Sequence, residues 1–88
     1  VRRGSVNRVA VFKDSDAEVI SFKVSAESPL VGRPLEELEF PDHAILASIV
    51  RDGEVIIPRG SHSLQNGDEA IVFALADAVG DVTSLFPS

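Results

Sequence analysis

The side chains with the most evident chemical potential in this 88-residue sequence are His43 and His62, the Ser61-His62-Ser63 cluster, and the carboxylates of Glu36-Glu37-Leu38-Glu39. A zinc-type centre needs several His, Cys or carboxylate ligands at matched spacing. There is no cysteine and no HxxxH pattern, so a metal would have to draw on scattered carboxylates such as Asp42 and Glu69. Two solvated loop histidines are the simpler reading. Ser61-His62-Ser63 sets a hydroxyl beside a base, but sequence neighbours rarely reach triad geometry and no nucleophile-elbow pattern surrounds them. Glu36 and Glu37 would fall at the positive end of a short surface helix, where carboxylates complement the dipole and stay in water. Gly32, Gly53, Gly60 and Gly67 compose neither GxGxxG nor a Walker loop, so each is read as a turn residue. These residues yield no catalytic set and no metal set, and the sequence points to binding or assembly rather than to an enzyme.

Composition narrows the field from the other side. Hydrophobic residues make up 44% of the chain, too many for a disordered segment. Five Phe without Trp or Tyr leave Val, Ile, Leu and Ala to build most of the core. The net charge of −6 argues against nucleic acid as a partner, because a binder must neutralise phosphates. No apolar run approaches the roughly 18 residues that span a bilayer. Val1-Arg2-Arg3-Gly4 leads into domain-like sequence rather than a secretory leader, and a start at Val reads as a piece of a longer protein. The absence of cysteine fits a reducing compartment. A single domain of this length buries a modest fraction of its surface, so dimerisation would help to stabilise it.

The chemistry-bearing residues must be positioned by a small set of elements. Val6 to Phe12 reads as a β-branched strand, Lys13 to Asp16 as a polar turn, and Glu18 to Val24 as an alternating strand, together a β-hairpin. Ser28-Pro29 opens a turn through Gly32, and a short helix is expected from Pro34 to about Leu38, stopped by Phe40-Pro41. Ala44 to Val50 is apolar at nearly every position, the pattern of a strand covered on both faces. Asp52-Gly53 is a tight turn into a return strand, Glu54 to Ile57, which Pro58 ends. After a polar loop from Arg59 to Asp68, Glu69 to Leu75 forms another apolar strand. Asp77 is then expected to cap a last helix carrying Ala78, Val82, Leu85 and Phe86 inward. The fold class is α+β: a β-hairpin, a short helix, three further strands in a mostly antiparallel mixed sheet, and a C-terminal helix. Residues 1–88 form one domain, with 1–16 as its N-terminal strand and turn.

Ser28-Pro29-Leu30-Val31-Gly32-Arg33-Pro34-Leu35, then Ile49-Val50-Arg51-Asp52-Gly53-Glu54, then Pro58 followed by Leu64-Gln65-Asn66-Gly67-Asp68, stand in the order and spacing of one known family. Together they resemble the TrkA C-terminal domain, also called RCK-C. The likeness extends to Val1–Gly4, Ala17–Ile20 and Val82–Phe86, so it covers essentially the whole chain. The resemblance implies a cytoplasmic regulatory domain, peripheral to the inner membrane, whose partners are a second copy of itself and a membrane potassium transporter or channel subunit. It implies no cofactor here, since NAD or ATP would bind a Rossmann domain upstream that this chain lacks. It also implies a small-molecule ligand in a dimer groove, at positions matching Ile45, Arg51 and Pro58. Arg51 would offer a forked donor to phosphate or carboxylate, with Ile45 and Pro58 as flat apolar contacts; an ordinary hairpin-tip arginine is the plainer reading of the same residue. Ile45 stands where the cyclic di-AMP binders of this family tend to place Asn, a departure that points away from that ligand. The alternatives are a purely structural dimerisation module and a regulatory domain fused to another cation antiporter or symporter.

Overall fold

Five strands form one open sheet: β1 (Val6–Val11), β2 (Ala17–Lys23), β3 (Ala44–Arg51), β4 (Glu54–Ile56) and β5 (Glu69–Leu75). The computed structural model describes residues 6–11 and 16–87. Phe12, most of the expected turn at Lys13–Asp16, and the Val1–Gly4 flank therefore lie outside the described residues. The spatial order is β1-β2-β5-β3-β4, and every paired neighbour runs antiparallel. The parallel element of this mixed α+β arrangement is an isolated bridge between Val31 and Leu64.

One face of the sheet carries the core. Ile20 and Phe22 of β2, Ile49 of β3, and Ala70, Val72 and Ala74 of β5 point to it. Leu30 and Leu64 from the long connections cover it, together with Val82 and Phe86 from the C-terminal segment. Phe22 and Phe86 stack with ring centroids 4.5 Å apart, and both are fully buried. Ser28 Oγ donates to the Leu85 carbonyl at 2.7 Å, and Ser25 Oγ to that of Pro87 at 3.0 Å, which holds the end of the chain over Phe22.

The expectation that Ala44–Val50 is covered on both faces is corrected. The register of β3 against β5 shifts between Leu46 and Ser48, a bulge that lets Leu46 and Ile49, three residues apart, face the same core. The opposite face is open. Ile45 is 60% exposed beside its cross-strand partner Phe73 at 37%, and Val55 and Ile57 near the sheet edge are 66% and 65% exposed.

Three smaller expectations also change. The helix at Pro34–Leu38 is a single 3-10 turn, Leu35–Glu37, because Pro34 before it (ψ 138°) and Leu38 after it (ψ 141°) are both extended. β4 ends at Ile56. Asp77 does not cap the final helix: the chain enters it through a 3-10 turn, Ala76–Ala78, so α1 (Val79–Ser84) has Ala78 at its cap with no side-chain bond. The Asp77 carboxylate instead accepts from His43 Nδ1 at 3.1 Å. No helix of the described residues is long and apolar enough to cross a membrane.

Candidate functional site

A groove of about 350 Å³ lies beside the first half of β3, at Ala44–Leu46, within the size range of small-molecule sites. Leu35, Leu38 and Phe40 supply one wall and Ile45 and Leu46 of β3 the floor. Pro58, Arg59 and Gly60, from the loop after β4, form the other wall, and Glu36 reaches over it. Backbone bonds hold the two walls together. Gly32 N donates to Leu64 O at 3.0 Å, Leu35 N to His62 O at 2.8 Å, and Glu36 N to Gly60 O at 3.0 Å. Gly60 suits this approach, since a Cβ there would lie 2.7 Å from Glu36 Oε1 and 3.1 Å from its Cβ, and the glutamate side chain would have to shift.

The loop that makes the second wall is anchored behind the groove by an ion pair. Arg51 forks onto Asp68, with Nε to Oδ1 and Nη2 to Oδ2 both at 2.8 Å, and Nη2 also donates to the Ser63 carbonyl at 3.0 Å. Gln65 N donates to Asp68 Oδ2 at 2.9 Å. Burial pushes the Asp68 carboxyl up, but the bonds from Arg51 and Gln65 and the charge of Arg51 outweigh it and hold the carboxyl below the ordinary range. The bond to Asp68 raises the Arg51 guanidinium above its usual value, burial opposes this, and the charges of Asp68 and Asp52 add to the rise. Asp68 is 2% exposed and the Arg51 side chain 28%.

The three residues named for a ligand site are thus divided. Ile45 and Pro58 meet in the groove. Arg51 is absent from the groove lining and spends its fork on Asp68 and Ser63. The turn reading of the glycines fits: Asp52 (φ 53°) and Gly53 (φ 81°) form the two-residue hairpin between β3 and β4, and Gly67 sits at φ 94°. His62 Nδ1 accepts from Arg59 N at 3.0 Å, a loop-closing bond that takes that nitrogen away from the neighbouring serines. Among the described residues no three His, Cys or carboxylate groups gather as for a metal. Sequence reasoning passed over Arg59 and the groove role of Glu36. The signal for Arg59 was slight, a lone basic residue between a strand-ending proline and a glycine.

The TrkA-C domain family matches residues 19–86. The Trk system potassium uptake protein TrkA homolog 2 of Methanosarcina mazei is 41% identical over 81 residues, covering 92% of this chain and 18% of the relative. The Trk system potassium uptake protein TrkA of Azorhizobium caulinodans is 36% identical over 86 residues, covering 98% of this chain and 19% of the relative. The chain therefore spans about a fifth of the length of these curated relatives. A solved structure described as an RCK domain with cda has a TM-score of 0.62 at 20% identity, over 93% of this chain and 97% of that one, a likeness of fold. This chain belongs to the TrkA-C domain family.

Proposed function

We propose that the domain is a cytoplasmic regulatory module of a potassium-transport system, which dimerises through its open sheet face and senses a small molecule in the adjoining groove. The reading rests on the shared position of Ala44 and Ile45. Both line the groove, and both line a shallow depression on the open face with His43, Phe73 and Leu75. An occupant of the groove would press on the strand against which a second copy packs. A ligand shifts such an equilibrium only if it binds the two arrangements differently, and one strand facing both sites supplies that difference. Potassium transport, and a membrane transporter or channel subunit as partner, are supported by the Trk uptake proteins that the chain resembles. A small-molecule ligand is supported by the RCK domain described with cda. Ile45 and Pro58 act as apolar contacts, whereas Arg51 acts from behind as a positioning residue through Asp68.

Sedimentation equilibrium should show a dimer that Ile45→Lys shifts to monomer. A wild-type domain that stays monomeric at high concentration overturns the dimer. Calorimetric titration with cyclic di-AMP and adenine nucleotides, repeated on Pro58→Ala, tests sensing. A dimer that binds none of them favours the purely structural module, which the open face alone would explain.

A further inference from the structure

Two further depressions, of about 350 and 370 Å³, meet where Glu39 and Leu85 line both of them. Together they form a cleft between the segment 29–41 and the chain end at 81–85. Leu38, Phe40 and Leu85, each half-buried, give it an apolar lining. Its sides are held by backbone bonds. Leu38 N donates to Leu35 O at 3.1 Å on one, and Leu85 N to Val82 O at 3.0 Å on the other. The Leu85 carbonyl also accepts from Ser28 Oγ at 2.7 Å, which ties the two sides together. Glu37, Glu39 and Asp81 stand exposed along the rim, with Arg33 as the one cation among the lining residues. None of these four side chains has an ion-pair partner among the described residues.

Solvated carboxylates on a surface turn are ordinary, and by themselves they would assign nothing. These three border an apolar cleft, in a domain whose net charge is −6. An occupant that fits must fill the cleft with apolar side chains and leave cations at the rim. Membrane proteins carry that combination on their cytoplasmic side, where loops rich in lysine and arginine adjoin apolar stretches.

We infer that this cleft docks a basic segment, set with apolar side chains, from a cytoplasmic loop of the membrane transporter. This rests on the reading above that such a transporter is the partner. Leu38 and Phe40 line both the cleft and the groove beside β3, so an occupant of one touches side chains that shape the other.

The test begins with three synthetic peptides: one of leucines spaced between lysines, a copy with serine for leucine, and a copy with glutamate for lysine. Backbone amide shifts in NMR spectra give both affinity and place. The lysine–leucine peptide alone should bind, with shifts centred on Leu38, Phe40 and Leu85. Glu39→Gln combined with Asp81→Asn should weaken it about fivefold, the scale of two exposed ion pairs, and added salt should act in the same direction. Both residues are exposed, so the fold is kept. Equal binding of the lysine–serine peptide reduces the cleft to a charged patch and overturns the proposal. So do shifts centred on Ile45 and Phe73, or cleft shifts that appear on concentrating the domain alone, which would make a second copy the occupant. Co-sedimentation with phosphatidylcholine vesicles carrying a Trk potassium transporter, against empty vesicles, then separates the two readings. The double variant should co-sediment less than wild type. If it co-sediments equally well, the docking cleft falls and the transporter partnership stands; if wild type does not co-sediment, both fall.

Discussion

The two faces of the sheet are built from equally apolar strands and end in different surroundings. On one, Phe22, Ile49, Val72 and Ala70 are wholly excluded from solvent. On the other, Ile45, Val55 and Phe73 remain accessible although they belong to the same three strands or to the adjoining hairpin. The difference lies in the connections. Both long ones, residues 24–43 and 57–68, and the C-terminal helix pack on the same side. Monomeric proteins seldom expose a contiguous apolar face, and that is the physical ground for the dimer proposed above. An apolar run in the sequence therefore records a strand with two apolar faces, without recording whether each of them is covered.

The sharpest way to test that contrast is to truncate one phenylalanine on each face. Phe22→Ala should cost about 3–5 kcal/mol, close to the whole stability of a small domain. Phe73→Ala should cost less than about 1 kcal/mol in the monomer. Urea denaturation at low protein concentration gives both values, and equal losses would break the distinction between the faces. Next in size is Arg51→Ala, which leaves the buried Asp68 carboxylate without its cation and should cost about 2–4 kcal/mol. Arg51→Lys should recover only part of this, because an ammonium cannot fork.

The pH dependence of the same pair carries a sign. Asp68 is held below its ordinary value, so its contribution is complete above that range and is lost as pH falls through the lowered folded value. Wild-type stability should therefore decline on acidification below about pH 4. In Arg51→Ala, burial acts on Asp68 without the guanidinium, its carboxyl rises, and mild acid should stabilise the variant. Melting temperatures between neutral and acid pH check the opposite slopes.

Smaller again is Gly53→Val at the hairpin that carries Val55 to the open face. Gly53 has φ 81°, so a β-branched residue there should cost about 1–3 kcal/mol by backbone strain, measurable by thermal melting. Least of all on monomer stability, within about 0.5 kcal/mol, should be Ile45→Lys. Its effect belongs in the sedimentation profile.

Most of the element order was legible because alternation in β2, the apolar runs of β3 and β5, and the Asp52-Gly53 pair are local signals. The bulge in β3 was not, since Ala47 can stand in either register and only pairing with β5 decides. Asp77 followed a sound capping rule and was drawn away by His43, which is distant in sequence. The candidate site shows the same division. Ile45 and Pro58 carry their apolar character wherever they are placed. The role of Arg51 depended on Asp68, seventeen positions away and indistinguishable in sequence from any other turn aspartate.

The place of β5 at the centre of the sheet has a further consequence for how the domain assembles. β5 is the last strand in sequence, yet both of the hairpins that precede it depend on it, β2 pairing Lys23 with Glu69 and β3 pairing Val50 with the same residue. β2 and β3 are not neighbours in the sheet. Until Glu69–Leu75 is available there are two separate hairpins, each marginal in water on its own. Productive folding must then close long loops before the reward of central pairing, which places such a topology among the slower folders of its size. During synthesis the earlier strands would emerge with open edges and wait for the final quarter of the chain, the interval in which a chaperone would be most needed.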